Sequence, residues 1–452
     1  MHRCFRLLLI VLLLASSRLF AAPPNVVMII SDDQTWTDYG FMGHDVIKTP
    51  HLDRLASQSV TFTRGYVPTA LCRPSLMTMI TGLYAHQHKV SGNDPAPIPG
   101  GGPKYQELRN ELISHVDHVP TLPKLLAKHG YLSHQSGKWW EGNHTRGGFT
   151  AGMTHGDPKR GGRHGDEGLK IGRTGMKPVF DFIDSAGDKP FFIWYAPFLP
   201  HTPHNPPERL FKKYQSQDYP DRLAKYYAMV DWFDETCGQL LDYLDEKKLS
   251  ANTLVVYVTD NGWIQRTEQT KVPTGWRTSY APKSKQSPYD GGTRTPVMLR
   301  WPAKLKPRRD DTTLVSSIDL APTILAACGA DAVKTMPGIN LLDIAQGRVT
   351  GRDTIYGESF AHDIADINDP EPSLLYRWCI QGRWKLLLTY DGKIGRYKAT
   401  HSLRSDGPEL YDLLADPLET KNLAAKNDET VKRLAAKIDA WWTVKKLQPR
   451  GL

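Results

Sequence analysis

Four short apolar runs recur along the chain at intervals long enough to hold a helix. They are NVVMII (25–30), PFFIWYAP (190–197), TLVVYVTD (253–260) and PVMLRWP (296–302). Each is rich in β-branched or aromatic residues and lacks regular polar alternation, the pattern of strands buried on both faces and of parallel sheets. Stretches with helical character lie between them: HLDRLASQSV (51–60), VPTLPKLLAKHG (119–130) and LAKYYAMVDWFDETCGQLLDYLDEK (223–247). Strands alternating with helices predict an α/β fold, a large and mostly parallel sheet sandwiched by helices. In such sheets ligands collect where strand carboxyl ends run into loops.

Beyond about residue 335 the pattern changes. TIYGESF, YRWCIQ, RWKLLLTY and PELYDL read as a small antiparallel sheet. ETVKRLAAKIDAWWTVKKL reads as a closing helix with Leu434, Ile438 and Trp441 on one face, docked into the core. A chain of 452 residues exceeds one simple core. The expected organisation is a leader at 1–22, a main domain at 23–335 and an α+β subdomain at 336–452.

The leader is expected because Arg3 and Arg6 precede an apolar run from Leu7 to Ala15, and small residues follow near Ala21 and Ala22. The run is short of the ~20 residues a membrane span requires, so the mature chain is expected to be exported, periplasmic or extracellular, with no stable membrane span. Loss of residues 1–22, with three arginines and no acid, lowers the formal charge from +9 to +6. A basic exported protein favours anionic ligands. The stretch KRGGRHGDEGLKIGR (159–173) is basic but poor in aromatics, which argues against a nucleic-acid platform. Cys72, Cys237, Cys328 and Cys379 remain, scattered and without CxxC spacing, so neither a zinc site nor a disulfide scaffold is indicated.

Chemistry-bearing residues cluster at the strand ends. Asp32 and Asp33 follow the first apolar run, and Asp260 and Asn261 follow the third. Three carboxylates and an amide oxygen suit a hard divalent cation such as Ca²⁺ or Mg²⁺, although Asp and Asn also cap helices and shape turns. Lys138 stands in SGKWWEG, His201 and His204 in PFLPHTPHNPP, and Lys285 in KSKQSPYDGGTRTP. Three long Gly- and Pro-rich regions, 91–106, 141–175 and 264–295, read as functional rims.

Nine stretches in order, among them PNVVMIISDDQ, KTPHLDRLASQSVTFTRGY, CRPSLMTMITGLYAHQH, GKWW, TLVVYVTDNG and SSIDLAPTILAACG, resemble the sulfatase family of the alkaline-phosphatase-like superfamily. The resemblance implies that Cys72 is converted to Cα-formylglycine, by a formylglycine-generating enzyme, and that its hydrated aldehyde is the nucleophile. It implies Ca²⁺ on Asp32, Asp33, Asp260 and Asn261, and Lys138 and Lys285 on the sulfuryl oxygens. It implies that His201 contacts the ester and protonates the departing oxygen, for which an ordinary histidine pKa near ~6.5 is suitable. The substrate would be a sulfate ester, with a lean towards sulfated carbohydrate.

Two positions depart from the family pattern. Leu76 stands where Cys-x-Pro-Ser-Arg has arginine, which serves maturation and holds the formylglycine beside the metal. Trp140 stands where a histidine usually follows the lysine by two residues; His144, or another rim histidine, is the expected substitute. Two further readings stay open: a phosphoesterase using unmodified Cys72, and a catalytically silent binder of sulfated glycans.

Overall fold

The computed structural model describes residues 22–452, so the leader expected at 1–22 lies outside the described residues apart from Ala22. The main sheet is built from β1 (Asn25–Ser31), β2 (Val60–Tyr66), β3 (Leu132–Gly137), β4 (Phe191–Ala196), β5 (Thr253–Thr259) and β6 (Arg294–Arg300). Three short pieces complete its nine strands, and the central order is β2-β6-β5-β1-β4-β3. β5, β1, β4 and β3 run parallel side by side.

The fourth apolar run departs from expectation: β6 is antiparallel to both β2 and β5. After β5 the chain stays at the same end of the sheet through the long loop 264–289 and turns straight back in. No helix carries it to the far end, as a parallel return requires.

Two strands are not apolar runs at all. β2 reads VTFTRGY, and its buried Thr61 and Thr63 hydroxyls bond Ala56 O and Asp311 Oδ1 at 3.0 and 2.8 Å. β3 reads LSHQSG, and its buried Ser136 hydroxyl donates to Trp194 O at 3.0 Å. Partnered polar side chains remove the cost of burial that a hydropathy pattern would count against a strand.

Helices cover both faces because β1 alternates its side chains between them. Val26, Met28 and Ile30 join one apolar cluster with α2 (Cys72–Thr81) and α5 (Leu320–Ala327). Val27 and Ile29 join the opposite cluster with α1 (Pro50–Ser57), α3 (Lys177–Ala186) and α4 (Asp221–Glu246). The start of α1 is capped from another helix: Asp234 of α4 accepts the backbone N–H groups of His51 and Leu52 at 3.1 and 2.7 Å.

The C-terminal part is a four-stranded antiparallel sheet, β7 (Thr354–Phe360), β8 (Leu374–Gln381), β9 (Trp384–Thr389) and β10 (Glu409–Asp412), in that order. The closing helix α6 (Asp428–Trp441) packs on it through the fully buried Leu434 and Ile438. Trp441 is half-buried and stacks on Tyr356 with ring centroids 5.2 Å apart. Lys385 of β9 fastens this sheet to the main body. Its Nζ lies 2.8 Å from Asp290 Oδ1 and 3.0 Å from Glu419 Oε1, all buried. Among the described residues, no helix is long and apolar enough to cross a membrane.

Candidate active site

The four adjacent parallel strands deliver their loops to one place. Asp260 and Asn261 leave β5, Asp32 and Asp33 leave β1, His201 follows β4 and Lys138 follows β3. Backbone bonds hold the strand ends in register: Asp260 N donates to Ser31 O at 2.9 Å, Asp32 N to Leu199 O at 3.0 Å and Lys138 N to Ala196 O at 2.7 Å. That last approach demands Gly137, because a Cβ there would lie 1.7 Å from Ala196 O. Asp33 takes the left-handed conformation, φ 66°, and its N–H donates to Asp260 Oδ1 at 3.0 Å.

Each lysine holds one of the adjacent carboxylates. Lys138 Nζ is 2.7 Å from Asp32 Oδ1 and 4.0 Å from Asp260 Oδ2. Lys285 Nζ is 2.6 and 2.7 Å from the two Asp33 oxygens. Asn261 Nδ2 donates to Asp33 Oδ1 at 2.7 Å. His201 stands at the edge of this group, Nε2 3.4 Å from Asp33 Oδ2 and Nδ1 2.6 Å from Thr202 O. Burial, together with Lys138 and Lys285, pushes its pKa well below the ordinary value, so the imidazole is neutral before an anion enters.

Three buried oxygens in the cluster have no hydrogen-bond partner: Asp32 Oδ2, Asp260 Oδ2 and Asn261 Oδ1. Burial raises the Asp32 and Asp260 carboxyls above the usual range; the charges of Asp260 and Asp33 raise Asp32 further, and that of Asp33 raises Asp260 further. Orphaned oxygens on crowded, buried acids are what a hard cation would relieve. The donor set therefore fits the implied Ca²⁺.

Cys72 opens α2, a helix whose ten residues are all buried, and follows Leu71 in extended conformation. Ligand atoms of Asp32, Asp33, Cys72 and His201 all lie within 4.8 Å of one another. The Sγ makes no disulfide; Cys72, Cys237, Cys328 and Cys379 are all free and buried. Burial pushes the Cys72 thiol up to about 12, against the pull of Lys138 and Lys285. The loop carrying Lys285 is tied to the same turn, since Gln286 N donates to Ala70 O at 2.8 Å. Leu76 is buried in the apolar cluster that also contains Cys72. Arg73 turns its guanidinium into a buried fork with Glu141, at 2.8 and 2.5 Å.

A cavity of about 300 Å³ opens over Cys72, Lys138, His201 and Lys285. All three long loops reach it, through Asn93, His164 and Gln286 among others, and so do His362 and Tyr397 from the C-terminal part. Trp140 lines it too, whereas Trp194 is wholly buried in the core.

His144 does not substitute for the histidine missing at Trp140. Its Nδ1 is 3.0 Å from Thr154 O, and it does not line the cavity. His164 does. Its ring sits 5.1 Å from Trp140 and 5.3 Å from Phe198, with Nδ1 unpartnered. Burial, then Lys138 and Arg163, pushes it down to about 3. Nothing periodic in GGRHGDEG marks this residue. The signal was Asp166, whose carboxylate accepts four backbone N–H groups, from His155, Gly156, Asp157 and Glu167, and so folds the loop back over the site. His86 and His88 belong to packing. His86 pairs with Glu358 at 2.7 Å, and His88 is buried beside Thr78.

An open, mostly parallel sheet with this acid and lysine cluster at its carboxyl edge puts the site where such sheets bind ligands, the arrangement that the sulfatase resemblance implied for a hydrolase of the alkaline-phosphatase-like superfamily. Residues 24–330 match the family model Sulfatase, and residues 283–443 match the model N-sulphoglucosamine sulphohydrolase, C-terminal. The chain belongs to the sulfatase family and is a sulfuric ester hydrolase. It is similar to the N-acetylgalactosamine-6-O-sulfatase of Bacteroides thetaiotaomicron, 25% identical over 91% of this chain and 92% of that protein. It is also similar to human N-acetylgalactosamine-6-sulfatase, 28% identical over 73% of this chain and 67% of that one. A solved Bacteroides thetaiotaomicron structure, from work on glycosaminoglycan metabolism, superposes with a TM-score of 0.73 at 22% identity, covering 94% of this chain and all of that one. At that identity the likeness establishes the fold alone.

Proposed function

We propose that this chain is an exported, Ca²⁺-dependent sulfatase that removes sulfate from a carbohydrate ester, with residue 72 acting as Cα-formylglycine. The observation that carries the proposal is the convergence of Cys72, Asp32, Asp33 and His201 within 4.8 Å at the carboxyl edge of the sheet. The carbohydrate lean is supported by the relatives, two of which are named for N-acetylgalactosamine 6-sulfate. On this reading residues 23–335 form the catalytic domain and 336–452 a subdomain that completes its rim, and a formylglycine-generating enzyme is the maturation partner.

Asp32, Asp33, Asp260 and Asn261 would hold the cation, which supplies Lewis-acid polarisation when bound. Residue 72, once converted to formylglycine, would supply a hydrated aldehyde as the nucleophile. Lys138 and Lys285 present their ammonium groups to the sulfuryl oxygens, where charge grows in the transition state. Overall hydrolysis puts one proton on the departing alcohol and takes one from the nucleophile. His201, its Nδ1–H committed to Thr202 O, presents Nε2 for the first transfer once the entering anion, by offsetting Lys138 and Lys285, has let that nitrogen take up a proton from solvent. His164, which lines the same cavity and is neutral and unpartnered at Nδ1, is our assignment for the second.

The unmodified-thiol reading has less support, because burial keeps Cys72 protonated and so poorly nucleophilic. Mass spectrometry of the peptide containing residue 72, from protein made in a host that matures ordinary sulfatases, tests the proposal. An aldehyde in place of the thiol, with aryl sulfate turned over faster than aryl phosphate, is the expected result. An intact thiol throughout would overturn it.

A further inference from the structure

The cavity over Cys72 does not end at the sulfate site. Arg277, Thr278 and Tyr397 also line a second, larger cavity of about 870 Å³, which opens between the loop around Thr274–Thr278 and the segment Arg396–Ser402. Both volumes lie in the ~300–1,000 Å³ range of small-ligand sites. A ligand anchored by a sulfate in the first cavity can therefore extend its next unit into the second.

The second cavity has one sign of charge. Arg277, Arg396 and Lys398 line it, and no acidic residue does. Arg396 is already engaged, 2.7 Å from Asp363 and 2.9 Å from Asp94. Arg277 is exposed and Lys398 carries its charge on the same wall; among the described residues neither has a carboxylate within 4.0 Å. Two unpaired cations facing one hollow raise the local concentration of anions.

Tyr397 stands on the boundary shared by the two cavities. It is 40% exposed, unlike most large aromatic side chains here, and its backbone is left-handed at φ 61°. That conformation is unfavourable for a non-glycine residue and persists where the surroundings fix it. Its ring is held 4.7 Å from His362, another residue of the first cavity. An exposed ring fixed between two hollows offers a flat apolar surface to a sugar face, with its hydroxyl left free for water or substrate.

We propose that the second cavity is a subsite for the neighbouring sugar of an anionic oligosaccharide, stacked on Tyr397 with its carboxylate or second sulfate between Arg277 and Lys398. This inference rests on the sulfatase reading above and narrows its substrate from a single sulfated sugar to a chain carrying a second acidic group.

The test uses hydrolysis of 4-nitrocatechol sulfate as the reporter. N-acetylgalactosamine 6-sulfate and a chondroitin 6-sulfate tetrasaccharide are compared as competitors of the matured, full-length enzyme. The tetrasaccharide is expected to compete at least tenfold more tightly than the monosaccharide. Lys398→Ala, in a residue that lines only the second cavity, should keep aryl-sulfate turnover within twofold and lose most of that preference. Tyr397→Ala should lose it as well. Equal competition by the two sugars against the unaltered enzyme would overturn the subsite. So would an undiminished preference in both variants, or a loss of aryl-sulfate turnover in Lys398→Ala. An unaltered enzyme with no aryl-sulfate turnover would instead count against the sulfatase mechanism itself.

Discussion

The guanidinium of Arg73 and the carboxylate of Glu141 face each other as a paired fork, both side chains 2% exposed. The pair joins the residue after Cys72 to the residue after Trp140, the latter one of the two positions where the chain departs from its family pattern. Arg73 Nη1 also donates to Asn93 O at 3.2 Å, so one side chain ties α2 to two of the long loops. Truncating Arg73 leaves a buried, unpaired carboxylate, which costs about 3–5 kcal/mol. Arg73→Ala should therefore lower the urea midpoint sharply, while Arg73→Met with Glu141→Leu should recover most of the loss. Equal stability for Arg73→Ala and the unaltered chain would show that the fork contributes nothing.

Cys72→Ala removes one buried sulfur at a helix start and leaves the surrounding bonds intact. Sulfate release should fall to background while the thermal midpoint stays within a few degrees. Substantial turnover in this variant, measured as free sulfate, would exclude residue 72 as the source of the nucleophile.

Asp260 supplies one of the three orphaned oxygens. Ca²⁺ added to chelator-treated protein should raise the unfolding free energy, by about 2.7 kcal/mol at 100 times its dissociation constant. Asp260→Ala should abolish that response together with activity. Calcium bound at full stoichiometry by this variant, read by titration calorimetry, would remove Asp260 from the ligand set.

His164→Gln should lower kcat for an aryl sulfate by about 100-fold, the lower end of general acid–base effects, with a much smaller change in KM. His144→Gln, whose ring points to Thr154, should change neither. A full kcat in His164→Gln would leave the residue a packing role only.

Five described histidines, His88, His134, His164, His204 and His401, are pushed down by burial to between about 3 and about 4. Below the ordinary value near ~6.5 the unfolded chain binds protons that the folded chain refuses, so stability is complete above that pH and falls as pH drops towards 4. His134→Phe removes one such site, against Phe182 at 5.0 Å. Between pH 7 and pH 5 the unaltered chain should lose about 2 kcal/mol more than this variant. Parallel losses, measured by urea denaturation at the two pH values, would contradict the burial effect at His134.

The four apolar runs and the acids that follow two of them were legible in the sequence, because hydrophobic continuity and strand-end position are local properties. The small antiparallel sheet and the docking of Leu434 and Ile438 were legible for the same reason. β2 and β3 were not, since their buried hydroxyls and amides are compensated by hydrogen-bond partners that a hydropathy pattern does not show, several of them far along the chain. The direction of β6 was hidden as well, because it depends on where a 26-residue stretch of loop leads and not on the strand's own residues. His164 reaches the cavity through a fold of its loop that Asp166 organises, and no spacing rule relates it to Lys138.

Helix α2 has no exposed residue. An enzyme that must grip residues 72–76 to modify Cys72 finds nothing to hold once this helix has packed against α5. On the formylglycine reading proposed above, chemical maturation and folding would therefore compete for the same segment of the nascent chain, and whichever came first would be final. A chain that closed early would be trapped as a well-formed but unmodified molecule, and a purified sample would carry a permanent record of how that race was run.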